Sequence, residues 1–148
     1  MGNKSLARKT IKGVFLLTLF VSITASAAFW VKVGDSVDGD QYFFDQKSVT
    51  RNGSEMSFTL VIDYSKPSTK DKYSFMSDRS QMVVDCLTGK SKTLKLAYYS
   101  KLNLEGDLVW SSETPNAKWE LSPPNSAIAA IQARVCSMRL NMPPTKDI

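Results

Sequence analysis

A two-residue alternation of apolar and polar side chains runs through the middle of the chain. It is clearest where Met56, Phe58 and Leu60 are separated by Ser57 and Thr59, a period typical of a strand with one buried face. This strand is predicted to run from Met56 to Tyr64. Shorter segments with the same alternation, or with a brief apolar run, predict five more strands: Phe29–Val33, Tyr42–Phe44, Met82–Cys86, Leu94–Tyr98 and Leu108–Trp110.

Short turns separate these segments. Asn52-Gly53 stands directly before the clearest strand, and Asn-Gly is the dipeptide most suited to a tight type I′ hairpin. Thr88-Gly89 and Gly106-Asp107 separate later strands in the same way. Because parallel strands need long crossover connections, such short links favour an antiparallel meander.

One segment has the period of a helix. Pro123-Pro124 interrupt the preceding strand, and either Asn125 or Ser126 can cap a helix over Ala127–Met138. Its apolar side chains recur at i, i+3 and i+7 (Ile128, Ile131 and Val135). The pattern predicts one α+β domain over residues 28–140, with a single antiparallel sheet, one C-terminal helix and a disordered tail over residues 141–148.

The first 27 residues have the layout of a secretory signal peptide. A basic head without acids precedes the apolar run from Val14 to Ile23, and Ala25-Ser-Ala27 supplies the small residues of a cleavage site before Ala28. The run is shorter than the roughly 20 residues of a transmembrane helix. The alternatives are an uncleaved anchor and a buried helix.

The charge balance changes once this segment is set aside. The chain carries 19 basic and 14 acidic residues, a net charge of +5. Four of the basic residues and none of the acids lie in the first 27 positions, so the rest of the chain has a net charge of +1. A nucleic-acid partner therefore loses its main support.

Cys86 and Cys136 are the two cysteines of the chain. In an exported protein such a pair favours a disulfide over two separate buried thiols. Cys86 shares a strand face with Val84, and Cys136 lies beside the apolar stripe of the helix, so the bridge would tie helix to sheet. The absence of a C-x-x-C pair argues against a redox role. No cysteine follows the signal peptide directly, so we expect no lipid anchor and no transmembrane segment in the mature chain.

A set of spaced matches resembles the surface-adhesin protein E family of Gram-negative bacteria. The matching segments are Trp30–Gly34, Asp38–Asp45, Ser48–Arg51, Val61–Tyr64, Asp85-Cys86, Tyr98–Ser100, Trp119–Pro124 and Val135-Cys136. The resemblance implies a compact antiparallel sheet, a C-terminal helix and a Cys–Cys bridge. It also implies binding of host matrix or serum proteins at the bacterial surface.

Catalysis has little support in the residue types present. The chain contains no His, which removes the usual general base and the commonest metal ligand. Asp78, Asp85 and Glu105 could form a carboxylate pair, although charged residues at strand ends are usually solvated. Asp35–Asp40 resembles part of a calcium loop but lacks the remaining ligand positions, so a plain turn is favoured. We therefore expect no enzyme activity, no cofactor and no metal site.

Protein binding is the better-supported class. Tyr98 and Tyr99 are neighbours on a strand, so their rings leave opposite faces of the sheet. The candidate partner-binding residues are Trp30, Tyr99, Trp110, Lys90, Lys92 and Lys95. The ordinary alternatives are core packing for the tryptophans and solubility for the lysines. A second lysine group, at 66, 70 and 72, is expected in a hairpin loop around Pro67.

Two functions follow from this pattern. The first is an adhesin-like or envelope-interaction protein, located in the periplasm, secreted or displayed on the cell surface, that binds a host or envelope protein. The second is a periplasmic accessory protein or small-ligand-binding protein. A hydrolase ranks last because the chain has no His.

The intact mass of protein recovered from the cell envelope tests both processing and the bridge. We expect a chain that begins near Ala28 and is lighter by two hydrogen atoms than its all-thiol form, because export exposes Cys86 and Cys136 to an oxidising compartment. Cytosolic protein with its leader attached and two alkylatable thiols would contradict this.

Overall fold

The computed structural model describes residues 29–142. The signal-peptide prediction and most of the tail prediction therefore lie outside the described residues. Within this range one α-helix, α1, spans Ala127–Met138, and short 3-10 turns span Leu102–Leu104 and Arg139–Asn141. The strands are β1 (Trp30–Asp35), β2 (Gln41–Asn52), β3 (Glu55–Lys70), β4 (Tyr73–Asp85), β5 (Lys90–Tyr99), β6 (Leu108–Glu113) and β7 (Glu120–Leu121).

All seven strands form one antiparallel sheet. Strands β1 to β6 follow one another in chain order, and β7 pairs with the start of β5 beside β6. This arrangement confirms the predicted meander with a C-terminal helix. The three central strands are longer than the periodicity indicated, because β2, β3 and β4 extend into bulged and polar segments that the alternation does not mark.

The first long hairpin turns one residue later than the Asn-Gly rule indicates. Asn52 pairs with Glu55, so Gly53 and Ser54 are the central residues of the turn. Only Gly53 of these two has a positive φ, at 58°. A positive φ at the first central residue alone is the pattern of a type II′ turn, and the type I′ prediction is wrong.

The predicted hairpin loop around Pro67 is also wrong. Strand β3 continues through Pro67 to Lys70, and the tip of the hairpin lies at Asp71, whose φ is 53°. The β3–β4 register shifts between Asp63 and Ser68, so Pro67 falls in an irregular stretch. A residue without a backbone N–H is tolerated at such a bulge.

Helix α1 covers one face of the sheet and closes the core. Phe44, Met56, Phe58 and Leu60 are at most 1% exposed on the sheet side, and the helix contributes two fully buried side chains, Ile131 and Val135. The helix packs most closely against β1, β2 and β3, and it also reaches Ser91 on β5. Burial of such side chains contributes about 1.5–3 kcal/mol each, which makes this packing the main source of stability.

Two sets of side-chain hydrogen bonds position the helix. Ser126 is the N-cap, and its hydroxyl accepts a hydrogen bond from the Ala129 N–H at 3.1 Å. Further along, the buried Gln132 amide donates to the Ser91 hydroxyl at 2.7 Å and to the Ser122 hydroxyl at 2.8 Å. The helix is therefore oriented by specific hydrogen bonds as well as by its apolar stripe.

The disulfide joins Cys86, directly after β4, to Cys136 near the end of α1, as predicted. The two Cα atoms are 5.6 Å apart and the bridge spans 50 positions of sequence. In the chain-entropy treatment a loop of this length stabilises the fold by about 4 kcal/mol.

Replacing both cysteines by alanine should lower the free energy of unfolding by about 4 kcal/mol, because the unfolded chain regains the freedom of the closed loop. Urea denaturation monitored by circular dichroism measures this. Ser137→Ala, on the exposed side of α1, is the matched control and should change stability little. An unchanged midpoint for the cysteine-free variant would contradict this view of the bridge.

Candidate functional site

In the part of the chain that the structure describes, no α-helix covers the face of the sheet opposite α1, and we call this face the open face. Its central row of cross-strand neighbours runs from β1 to β6 (Lys32, Phe43, Val61, Arg79, Ala97 and Ser111). In the middle of this row the exposed Arg79 stands between two smaller side chains, Val61 and Ala97. Val61 is only 4% exposed, and Ala97 is half-buried.

Five of the six predicted partner-binding residues lie on the open face. Cross-strand pairing and strand alternation place Trp30, Tyr99 and the three β5 lysines on this side. Trp110 lies on the opposite face, because it pairs with Tyr98 and not with Tyr99. The sequence expectation that Tyr98 and Tyr99 leave opposite faces is confirmed.

The three lysines differ in their surroundings. Lys95 is paired with Glu113 on β6, with Nζ and Oε1 at 2.8 Å. Lys92 places its ammonium 4.3 Å from the ring centroid of Trp119, within the range of a cation–π interaction. Lys90, at the start of β5, is exposed. They therefore form a line of cations rather than one cluster.

Trp110 ends an aromatic row on the helix side of the sheet. Phe75 stacks on Tyr98 with ring centroids 4.0 Å apart, and Tyr98 stacks on Trp110 at 5.1 Å. Tyr64 meets Phe75 edge-on at 5.3 Å. The row links β3, β4, β5 and β6, so Trp110 has a packing role of the kind that the sequence left as its alternative.

A small apolar cleft opens beside Trp30 on the open face. Its walls include Trp30, which is 40% exposed, and Leu104, and its floor includes Phe43 and Val61. The volume is about 120 Å³. For comparison, a cavity of about 150 Å³ accommodates benzene, so the cleft has room for one apolar side chain.

The loop that carries Leu104 is held in an uncommon conformation. Asn103 and Leu104 both have positive φ, at 58° and 60°. The Ser77 hydroxyl donates to the Lys101 carbonyl at 2.6 Å and accepts from the Leu104 N–H at 3.1 Å. A carboxylate oxygen of Asp63 accepts from the Asn103 N–H at 2.8 Å. A non-glycine residue keeps a positive φ only when surrounding contacts, such as these hydrogen bonds, hold its backbone in place.

Sequence reasoning missed four residues of this surface: Phe43, Val61, Arg79 and Leu104. The strand alternation could have placed the first three opposite the core face. Nothing in the local sequence indicates that the loop after β5 folds back over β3 and β4, because that contact depends on buried side chains forty and twenty-seven positions away.

Comparison with known proteins decides the family. The model of the surface-adhesin protein E family matches residues 30–137. The chain belongs to the surface-adhesin protein E family. No curated protein matches it in sequence.

Solved structures agree on the fold of this family member. Haemophilus influenzae protein E is 14% identical, with a TM-score of 0.52 over 73% of this chain and 83% of that one. Protein E from non-typeable Haemophilus influenzae is 13% identical, with a TM-score of 0.54 over 80% and 82%. At this identity the likeness concerns the fold alone.

The carboxylates considered for catalysis are not brought together in this family member. Asp78 is buried, whereas Asp85 is the last residue of β4 and accepts a hydrogen bond from the Thr88 hydroxyl. Glu105 is exposed in the loop before β6. Asp35 ends β1 and residues 36–40 form the turn to β2. Within residues 29–142 no three His, Cys, Asp or Glu side chains lie together as a metal site would require. No helix in that range is long and apolar enough to cross a membrane.

Asp78 is the most unusual ionisable group. It is 3% exposed, and burial raises its pKa to about 6, while hydrogen bonds from Tyr64 at 2.6 Å and Ser80 at 3.3 Å oppose the rise. The same burial, together with the Asp78 charge, raises the pKa of Tyr64. Perturbed carboxyls often mark active sites. In this structure each oxygen of Asp78 accepts a hydrogen bond from a neighbouring hydroxyl group, so the carboxyl links β3 to β4.

The pH dependence of the free energy of unfolding should show the raised pKa of Asp78. Because its pKa is higher in the folded chain than in the unfolded chain, the folded state becomes less stable as pH rises from about 4 to about 6. Asp78→Asn removes the charge and keeps an acceptor for Tyr64. Its stability relative to the wild type should rise over that interval, by up to about 3 kcal/mol.

Urea midpoints measured from pH 4 to pH 8 give this difference directly. Asp107→Asn, an exposed carboxylate, is the control and should show no such trend. A stability difference between Asp78→Asn and wild type that does not vary with pH would contradict the assignment.

Proposed function

We propose that this protein is an exported, non-catalytic component of the cell envelope or surface that binds another protein through its open face. One observation carries the proposal: the core is closed on one side by α1, while the other side of the sheet presents accessible aromatic, apolar and cationic side chains. Tryptophan, tyrosine and arginine dominate the binding energy of protein interfaces. Membership of the surface-adhesin protein E family supports an adhesin-like role.

The disulfide supports the proposed compartment. A bridge between Cys86 and Cys136 persists in the periplasm or outside the cell, and is rare in the reducing cytosol. Together with the predicted signal peptide, it supports a periplasmic, secreted or surface-displayed protein. The catalytic alternative has no assembled group of side chains to support it within residues 29–142.

A second candidate function, binding of a small periplasmic ligand, rests on one feature. A cleft of about 480 Å³ lies between β5, the segment around β7 and the start of α1, and Lys92, Lys118 and Ile128 are among its lining residues. Its volume is within the roughly 300–1,000 Å³ of ligand pockets. The cleft is open, however, and the main core is filled, which favours protein contact over ligand enclosure.

Site-specific photocrosslinking in intact cells tests the first function. A benzophenone amino acid placed at Gln81, exposed on the open face, should give crosslinks to a partner protein. The same group at Ala133, exposed on α1, is the matched control and should give few or none.

The outcome separates the two functions. Crosslinks confined to Gln81 support protein binding through the open face. An absence of protein crosslinks at Gln81, with the protein correctly exported and oxidised, would overturn the proposal and favour the small-ligand function.

A further inference from the structure

An arginine side chain lies next to the cleft beside Trp30. Val61, in the floor of the cleft, pairs directly with Arg79 on β4. Paired residues on adjacent antiparallel strands lie about 5 Å apart and point to the same face. An apolar recess and a guanidinium group therefore stand side by side on the open face.

Within residues 29–142 Arg79 has no carboxylate partner. It is exposed and makes no hydrogen bond or ion pair within the described residues. Its neighbours across the strands are Val61 and Ala97, and neither side chain can accept a hydrogen bond from the guanidinium. An arginine that is left unpaired in the middle of a sheet face is available for a carboxylate from another molecule.

The nearby acids are already engaged. Asp45 accepts hydrogen bonds from two backbone N–H groups, and Glu113 is paired with Lys95. Asp63, which lines the cleft, is 8% exposed and accepts from the Asn103 N–H. Arg79 is therefore a cation on this part of the open face whose charge no described side chain neutralises.

The spacing indicates the form of the ligand. In an extended chain, side chains on one side recur every second residue, about 6.7 Å apart. An apolar side chain seated over Val61 would thus place the side chain two residues away close to the long arm of Arg79. An acidic side chain at that position would accept two hydrogen bonds from the guanidinium and also neutralise its charge.

Resting on the function proposed above, we propose that the open face recognises an extended acidic segment of its partner protein. A large apolar side chain of that segment fills the cleft between Trp30 and Leu104, and an Asp or Glu two residues away pairs with Arg79. The loop that holds Leu104 in place shapes one wall of this recess, so the site is formed before the partner arrives.

Selection from a random heptapeptide library displayed on phage tests the proposal. The purified, disulfide-bonded protein is the bait, and Arg79→Gln is used for counter-selection. We expect enriched peptides to carry a large apolar residue and, two positions away, Asp or Glu. A pool without that spacing, or no enrichment, would overturn the proposal.

The affinity of the best selected peptide, synthesised and measured against the wild type and its variants, tests the proposal quantitatively. Arg79→Gln should weaken binding at least about tenfold, as expected for a charge-assisted hydrogen bond. When Asn or Gln replaces the acidic residue of the peptide, the wild type and Arg79→Gln should bind it with equal affinity. Trp30→Ala should also weaken binding, and Arg134→Gln, on the exposed side of α1, is the charge-matched control with unchanged affinity. Equal affinity for wild type and Arg79→Gln overturns the proposal.

Repeating the Gln81 crosslinking in an Arg79→Gln background separates this inference from the function on which it rests. Loss of the crosslink supports recognition through Arg79. A crosslink that persists rejects the inference and leaves protein binding by the open face intact. If Gln81 gives no crosslink even with Arg79 present, the proposed function itself fails.

Discussion

The structure depends on the burial of one sheet face under a single helix. Phe58 and Leu60 on β3 pack in the same core as Ile131 and Val135, and all four are at most 1% exposed. Because the chain has only one helix in the described range, it can close only one side of the sheet. The asymmetry has two consequences. The core lies between α1 and the sheet face formed mainly by β2, β3 and β4, and the opposite face must remain accessible or be covered by loops and side chains.

The bridge and the hydrogen bonds of Gln132 make this arrangement specific. Apolar packing is not directional, so a helix with a narrow stripe could slide or rotate on the sheet. The Cys86–Cys136 bond fixes its far end beside β4, and Gln132 fixes its middle against Ser91. An exported domain of this size gains from such a covalent link, because its hydrophobic core alone supplies a modest stability.

Part of the open face is formed by backbone conformations that lower the stability of the folded chain. Asn103 and Leu104 adopt backbone angles that cost energy in non-glycine residues, and buried polar groups of Ser77 and Asp63 hold them there. Arg79, which no side chain in the described part of the chain pairs with, stands beside the recess that this loop completes. Strain and unsatisfied charge at one place are typical of a surface adapted to a partner.

The sequence by itself determined the strand order, the helix and the disulfide, because these depend on local periodicity and on the inward direction of two cysteines. It narrowed the helix cap to Asn125 or Ser126, and the structure assigned it to Ser126. The sequence also separated Tyr98 from Tyr99 by simple alternation. Only the tertiary structure decided which face α1 leaves open, that Trp110 joins the aromatic row on the helix side, and that the loop of Leu104 folds back to form a cleft. These depend on contacts between residues distant in sequence, which a local pattern does not encode.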